Sequence, residues 1–289
     1  MALIASFLYT HSMNRLQRGS HVLIILIVVA AIGIIGALVW VFVSNMKASD
    51  QSNSAPPSQV ETQPSELIWQ QGEVGWWSTS TPPECPAQPM MKSPADTSKA
   101  TSILYPGQTR GGNYKPHGGF RFNNNKNADI TVTAPLDGFI VRGGSYIAEG
   151  EIQYTFDVMN NCGIMYRLGH LRVLPDNLQK IADTWPAPTE DSRTQGLNPA
   201  VYVKTGDTLA TSVGITKTIN TFFDWGVYDY RQENEASKSI AYQQLHAQDK
   251  ELSWYAVCWF DWLPSTDSSK VKSLPPGDPT SGKNSDYCQ

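Results

Sequence analysis

Residues 117–122 read His-Gly-Gly-Phe-Arg-Phe, an imidazole at the head of two glycines and an arginine between two phenylalanines. The arginine decides what this segment can do. Arg121 stays protonated in a protein, offers five donors and has no lone pair. It cannot ligate a metal, and its charge opposes a cation beside it. From its own surroundings His117 keeps two readings open: a metal-binding imidazole, or a histidine in a turn before Gly118.

Outward from this segment, short period-two runs dominate. The stretch 128–134 (ADITVTA) alternates β-branched residues, and 135–138 (PLDG) is a turn. A strand over 139–142 is expected to break at Gly143 and Gly144. Strands over 152–159 and 163–168 flank Asn160, Asn161 and Cys162, a natural hairpin turn. Further short strands are expected at 201–203, 209–213 and 221–228. Such runs between Gly, Asn, Asp and Pro turns predict an all-β, mainly antiparallel domain. The one helical pattern covers 233–247, with Ile240, Tyr242 and Leu245 as its candidate buried face. Trp254, Tyr255, Trp259, Phe260 and Trp262 read as a core edge, with a sugar-stacking platform as the other reading.

Upstream, 22–43 is an unbroken apolar run, and nothing between Arg18 and Lys47 carries a formal charge. Such a helix rises roughly 33 Å at ~1.5 Å per residue, enough for a hydrocarbon core of about 30 Å. We therefore expect a single N-terminal transmembrane helix over 22–44. Arg15 and Arg18 ahead of it put 1–21 in the cytoplasm and everything beyond it outside. A Ser/Pro/Gln-rich flexible linker at 45–66 then leads to the folded domain at 67–263, and a polar tail follows at 264–289. The expected location is the cell membrane, single-pass, with the C-terminal domain extracytoplasmic. Forty per cent hydrophobic and 10% aromatic residues suffice for a core. A net charge of −4 leaves no electrostatic footprint for nucleic acid.

Cys85, Cys162, Cys258 and Cys288 all follow the apolar run, in a compartment that permits disulfides. Four cysteines allow three pairings, or some remain free. We favour Cys85 with Cys162 and Cys258 with Cys288, because the second would staple a tail that has no other reason to be ordered.

Several strings, in order over about 115–230, resemble the zinc peptidases that cut cell-wall peptide bridges, the M23 (lysostaphin/LytM-like) family. The segment at 117–122 resembles their His-x-Gly-x-Asp-Phe signature. Residues 134–138 (APLDG) with Ile140 and Val141 resemble their Ala-Pro-x-x-Gly-x-Val strand pair, and 168–171 (LGHL) resembles Tyr-x-His-Leu. The string VKTGDTLA at 203–210 resembles the one that precedes their last metal-binding strand. It also occurs in lipoyl carriers, which need a hairpin-tip lysine that is not placed here. Finally, 222–227 (FFDWGV) sits where the family has His-x-His-Phe-x-Val.

The resemblance implies an antiparallel β domain of the barrel-sandwich hybrid type. In the family the first-signature His, its Asp and the second His of His-x-His hold zinc. The His before Leu and the first His of His-x-His act on the attacking water and the oxyanion. Carried over, His117 is a retained metal ligand, Asp224 stands in for the last ligand, and His170 is the retained catalytic histidine. Arg121 replaces a ligand and Phe222 replaces a catalytic imidazole. Catalytic zinc takes three protein ligands and an open position, so two candidates with a cation between them imply weak or no binding. Arg121 and Asp224 are then expected to form an ion pair in the vacated hole. Read alone, His170 also fits a half-buried strand histidine, and Asp224 an ordinary strand-end carboxylate.

The expected function is a membrane-tethered, non-catalytic domain without a cofactor that binds peptidoglycan or an envelope protein. The alternative is an active cell-wall metallopeptidase holding zinc on a displaced set, His117, His170 and Asp224. A purely structural ectodomain is a third class.

Overall fold

A computed structural model describes residues 66–72 and 75–288; the expected membrane helix at 22–44 and nearly all of the linker lie outside the described residues. Among the described residues no helix is long and apolar enough to cross a membrane. What is described is mostly antiparallel β-sheet with a few short helices.

The strands run in chain order as β1 (Trp69–Gln71), β2 (Trp76–Ser78), β3 (Ser102–Leu104), β4 (Gln108–Arg110), β5 (Asn113–Lys115), β6 (Gly118–Arg121) and β7 (Val132–Thr133). Then come β8 (Gly138–Ala148), β9 (Glu151–Met159), β10 (Ile164–Val173), β11 (Gln195–Val203), β12 (Thr208–Ala210), β13 (Ser212–Val213) and β14 (Phe222–Asp229). The principal sheet has the order β11-β8-β9-β10-β14-β6-β3, with β13 added beside β10. The central hairpin forms where Asn160, Asn161 and Cys162 were read as a turn, and Asn160 Oδ1 accepts from the Ile164 amide at 3.0 Å to close it.

Alternation sorts the faces. In β14 the side chains of Phe223, Trp225 and Val227 enter the main core with Phe120 and Phe122 and with Tyr166 and Leu168 of β10. Phe222, Asp224 and Gly226 fall on the other face, as a period of two requires. Trp225 and Trp259 meet at 4.1 Å between ring centroids, and Phe120 packs on both. Trp259, Phe260 and Trp262 thus pack the core edge. A fully buried aromatic side chain of this kind contributes about 1.5–3 kcal/mol.

A buried charge network fixes the middle of the sheet. Asp157 of β9 is fully buried and accepts from Arg142 Nε at 2.8 Å and from Arg167 Nε at 2.6 Å. Arg142 also reaches Glu251 at 2.6 Å. Burial alone would raise the Asp157 carboxyl, but the two guanidiniums and Thr194 bring it down to about 2.

Several expectations change. Strand β8 runs straight through Gly143 and Gly144, because their missing side chains make room for neighbours rather than for a turn. A Cβ on Gly143 would stand 2.5 Å from the Trp185 ring, and one on Gly144 would stand 2.9 Å from the Arg193 carbonyl oxygen. Within 128–134 only Val132 and Thr133 are strand; Asn127–Asp129 is a 3-10 turn closed by Asp129 accepting from the Lys126 amide. The helical pattern at 233–247 yields only α2 (Ile240–Leu245), preceded by a 3-10 turn, with Ile240 and Leu245 exposed. The pattern also missed α1 (Asp176–Ala182), α3 (Lys250–Ser253) and α4 (Ser265–Ser273).

The polar stretch at 264–288 packs onto the domain. Val271 of α4 and Leu274 are buried in the main core. Beyond them the chain lies beside β3: the Ile103 amide donates to the Pro275 carbonyl and the Gly277 amide to the Ile103 carbonyl, at 3.0 and 2.6 Å. Both favoured disulfides are present, Cys85–Cys162 and Cys258–Cys288, and no free cysteine remains among the described residues. They fit an oxidising, extracytoplasmic location.

Candidate functional site

Three neighbouring strands bring the sequence-predicted residues together on the face of β14 opposite the main core. The register pairs Arg121 with Phe222 and Gly119 with Asp224 across β6 and β14. On the other side Gly169 of β10 pairs with Asp224. Asp224 therefore sits in a row between two glycines, so no neighbouring side chain covers it from directly across either strand. A Cβ on Gly119 would collide with the Phe223 carbonyl oxygen, so that position accepts glycine alone without a shift of the strands.

Into the space above Asp224 come two imidazoles. His117 Nε2 lies 3.1 Å and His170 Nε2 3.5 Å from the same oxygen, Asp224 Oδ2. His170 gets there by a backbone irregularity. The pairing of β10 shifts between Leu168 and Leu171, and His170 has φ 58°, a left-handed conformation that few non-glycine residues hold. A bulge of this kind re-aims one side chain. Here it turns the ring of His170 to pack against Phe222 at 4.4 Å and Tyr146 at 5.8 Å. Such strain persists where surrounding contacts over-determine it, and it clusters at functional sites.

The electrostatics follow from this packing. Burial would raise the Asp224 carboxyl, but His117, His170 and Arg110 together hold it well below the usual carboxylate range. Burial lowers the His170 imidazole, and the Asp224 charge offsets only part of that. His170 Nδ1 is buried without a hydrogen-bond partner.

The expected ion pair between Arg121 and Asp224 is not formed. Arg121 donates through Nη1 to Asn220 Oδ1 at 3.2 Å, and its guanidinium lies 5.6 Å from the centre of the Phe222 ring. The reason is the register: Arg121 is directly opposite Phe222, two pairs along from the Gly119–Asp224 pair, and the imidazoles of His117 and His170 already occupy the carboxylate. Arg121 Nε is buried and has no acceptor.

These residues line a cleft of ≈ 350 Å³ together with Leu104, Arg110, Lys115 and the tail residues Gly277, Asp278 and Pro279. Arg110 is anchored by donating to the Tyr105 and His117 carbonyls at 2.6 and 2.9 Å. Reading the sequence did not single out Arg110, Lys115, Asn220 or Asp278. The first two stand on the hairpin just ahead of His117, so their proximity was available as a local charge cluster. Asp278 arrives from far along the chain and left no such signal.

The donor set differs from the one the resemblance implies, because Arg121 stands where that set has a carboxylate. Asp224 Oδ2 is approached by both imidazoles, and the cations Arg110, Lys115 and Arg121 line the same cleft. Among the described residues no group of three or more His, Cys, Asp or Glu is arranged to hold a metal ion. Among the described residues that line the cleft there is no serine, threonine or cysteine. What the arrangement offers is a set of fixed hydrogen-bond donors and positive charge above a half-open floor. No protein-family model, no curated protein and no solved structure matches this chain.

Proposed function

We propose that this chain is a membrane-tethered, extracytoplasmic M23-like domain that binds without catalysing, using the cleft over β6, β10 and β14 to recognise peptidoglycan or an envelope protein. The observation that carries this is the placement of Arg121. Its guanidinium stands on the ligand-bearing face against Asn220 and Phe222, where the family's zinc chemistry would need a carboxylate and an imidazole. His117, His170 and Asp224 supply their polar groups to one another instead. The two disulfides support an exported domain, and the apolar run at 22–43 supports the tether.

The displaced-ligand peptidase draws its support from the same convergence, since His117, His170 and Asp224 do meet. Elemental analysis of the purified full-length protein, with a wall-peptide cleavage assay with and without chelator, separates the two. We expect no stoichiometric zinc, no cleavage, and retention of the protein on purified peptidoglycan or on an envelope protein. Chelator-sensitive cleavage with bound zinc would replace this reading by the peptidase.

A further inference from the structure

We propose that the cleft is a receptor for one carboxylate on a peptide-like ligand, received by Arg121 with Lys115 and Arg110 at its sides. This deepens the binding reading above and rests on it.

The first argument is an incomplete donor set. Of the side-chain donors of Arg121, Nη1 alone has an acceptor among the described residues, and Nε is buried without one. Nε is closed off by the protein itself, so a ligand is met by the Nη donors. A planar guanidinium held against an aromatic ring presents its remaining donors in a fixed fork, which suits a carboxylate. Asn220 and Phe222 fix that plane before any ligand arrives. Gly277 backs the stem, where a Cβ would stand 3.1 Å from Arg121 Cδ.

The second argument is charge. Arg110, Lys115 and Arg121 line the cleft against Asp224 and Asp278, which act on Arg110 through space, and among the described residues no carboxylate lies in ion-pair contact with any of the three. Asp224 is engaged by the imidazoles, and Asp278 accepts from the Thr280 and Ser281 amides at 3.4 and 3.2 Å. Counted over the arginines, the lysine and the two aspartates alone, one positive charge is left over, which matches a monoanion better than a phosphate dianion. Leu104, Phe222 and Pro279 supply an apolar wall for the chain that carries the carboxylate.

The test uses the full-length protein in detergent and ligand-observed NMR with three small probes and a competitor. N-acetyl-alanyl-alanine presents a terminal carboxylate, N-acetyl-glutamic acid α-amide presents one on a side chain, and N-acetyl-alanyl-alaninamide presents none. Inorganic phosphate is the competing oxyanion. We expect one or both carboxylates to bind and the amide not to bind. Arg121→Gln should weaken the acid at least about ten-fold, equivalent to ~1.4 kcal/mol. Arg121→Lys, which keeps the charge and loses the fork, should weaken it less. Should Arg121→Gln fail to fold, Lys115→Ala should weaken the acid and leave the melting temperature unchanged. Equal binding of acid and amide, binding of neither, phosphate displacing both, or unchanged binding in the folded variants would each overturn the proposal. Zinc measured on the same sample reports separately: stoichiometric metal would overturn the non-catalytic reading whatever the acid does.

Discussion

Arg121 turns to Asn220, 3.2 Å away, and leaves Asp224 to His117, 3.1 Å away on its other side. A double-mutant cycle should therefore find its coupling where the contact is. For His117→Gln with Asp224→Asn we expect an interaction of about 1–3 kcal/mol, the range for residues sharing a hydrogen bond. For Arg121→Gln with Asp224→Asn the losses should add within about 0.5 kcal/mol. Denaturant unfolding of the purified variants measures both, and a larger coupling for the arginine pair would contradict the geometry described.

A constructive experiment probes the resemblance itself. Arg121→Asp combined with Asp224→His rebuilds the family's ligand set around His117 on one face of β6 and β14. We expect zinc to bind to this double variant by elemental analysis, and a rise in its melting temperature on adding the metal. Hydrolysis should stay absent, because Phe222 still lacks an imidazole. Failure to take up zinc in a folded double variant would count against the M23-like assignment.

The Asp157 network makes stability depend on acid in a defined window. Its carboxyl is held at about 2 in the folded protein, against 3.8 for the free group. A depressed carboxyl contributes stability that is present above the unfolded value and lost as pH falls towards the folded one. The contribution, about 2 kcal/mol by linkage, should disappear between roughly pH 4 and pH 2. Urea midpoints across that range should fall for the native protein and fall less for Asp157→Asn, which starts less stable because Arg142 and Arg167 lose their partner.

Cys258–Cys288 ties the last described segment to the core edge. Replacing both cysteines by serine should cost about 2–5 kcal/mol, the usual loss for a native disulfide in a small exported domain. Hydrogen exchange should locate the effect, with the Gly277 and Ile103 amides, bonded across the tail and β3, opening first. Uniform loss of protection over the whole sheet would point instead to a general loss of folding.

Gly143→Ala tests why β8 passes through a glycine pair. The added methyl would stand 2.5 Å from the Trp185 ring, which also packs on Phe156 at 5.8 Å. Overpacking of this kind costs about 1–3 kcal/mol. Trp185→Leu in the same chain should recover part of the loss, and thermal unfolding of the two variants decides it.

How far the sequence could be read differs by element. The hairpin of β9 and β10 was legible because two runs of strand-forming residues flank an Asn-Asn-Cys turn. The cysteine pairing was legible from the need to hold the tail. Two things were hidden. A glycine pair reads as a break until one knows that Trp185 and Arg193 approach it. The partner of Arg121 depends on a register, and a pattern that identifies β6 and β14 leaves open which residue of one faces which residue of the other. The acidic centre at Asp157 was invisible for a similar reason, since Arg142, Arg167 and Glu251 come from three separate elements.

The cleft is assembled from segments that differ greatly in their order of synthesis. His117 and Arg121 emerge early, whereas Gly277, Asp278 and Pro279, which form its opposite wall, emerge after every strand of the sheet. In the growing chain the sheet side of the cleft is therefore present before its far wall exists, and that wall is held by the hydrogen bonds of Pro275 and Gly277 to Ile103 and by the Cys258–Cys288 disulfide beyond it. A chain caught before this segment docks would carry a complete sheet and an unfinished cleft.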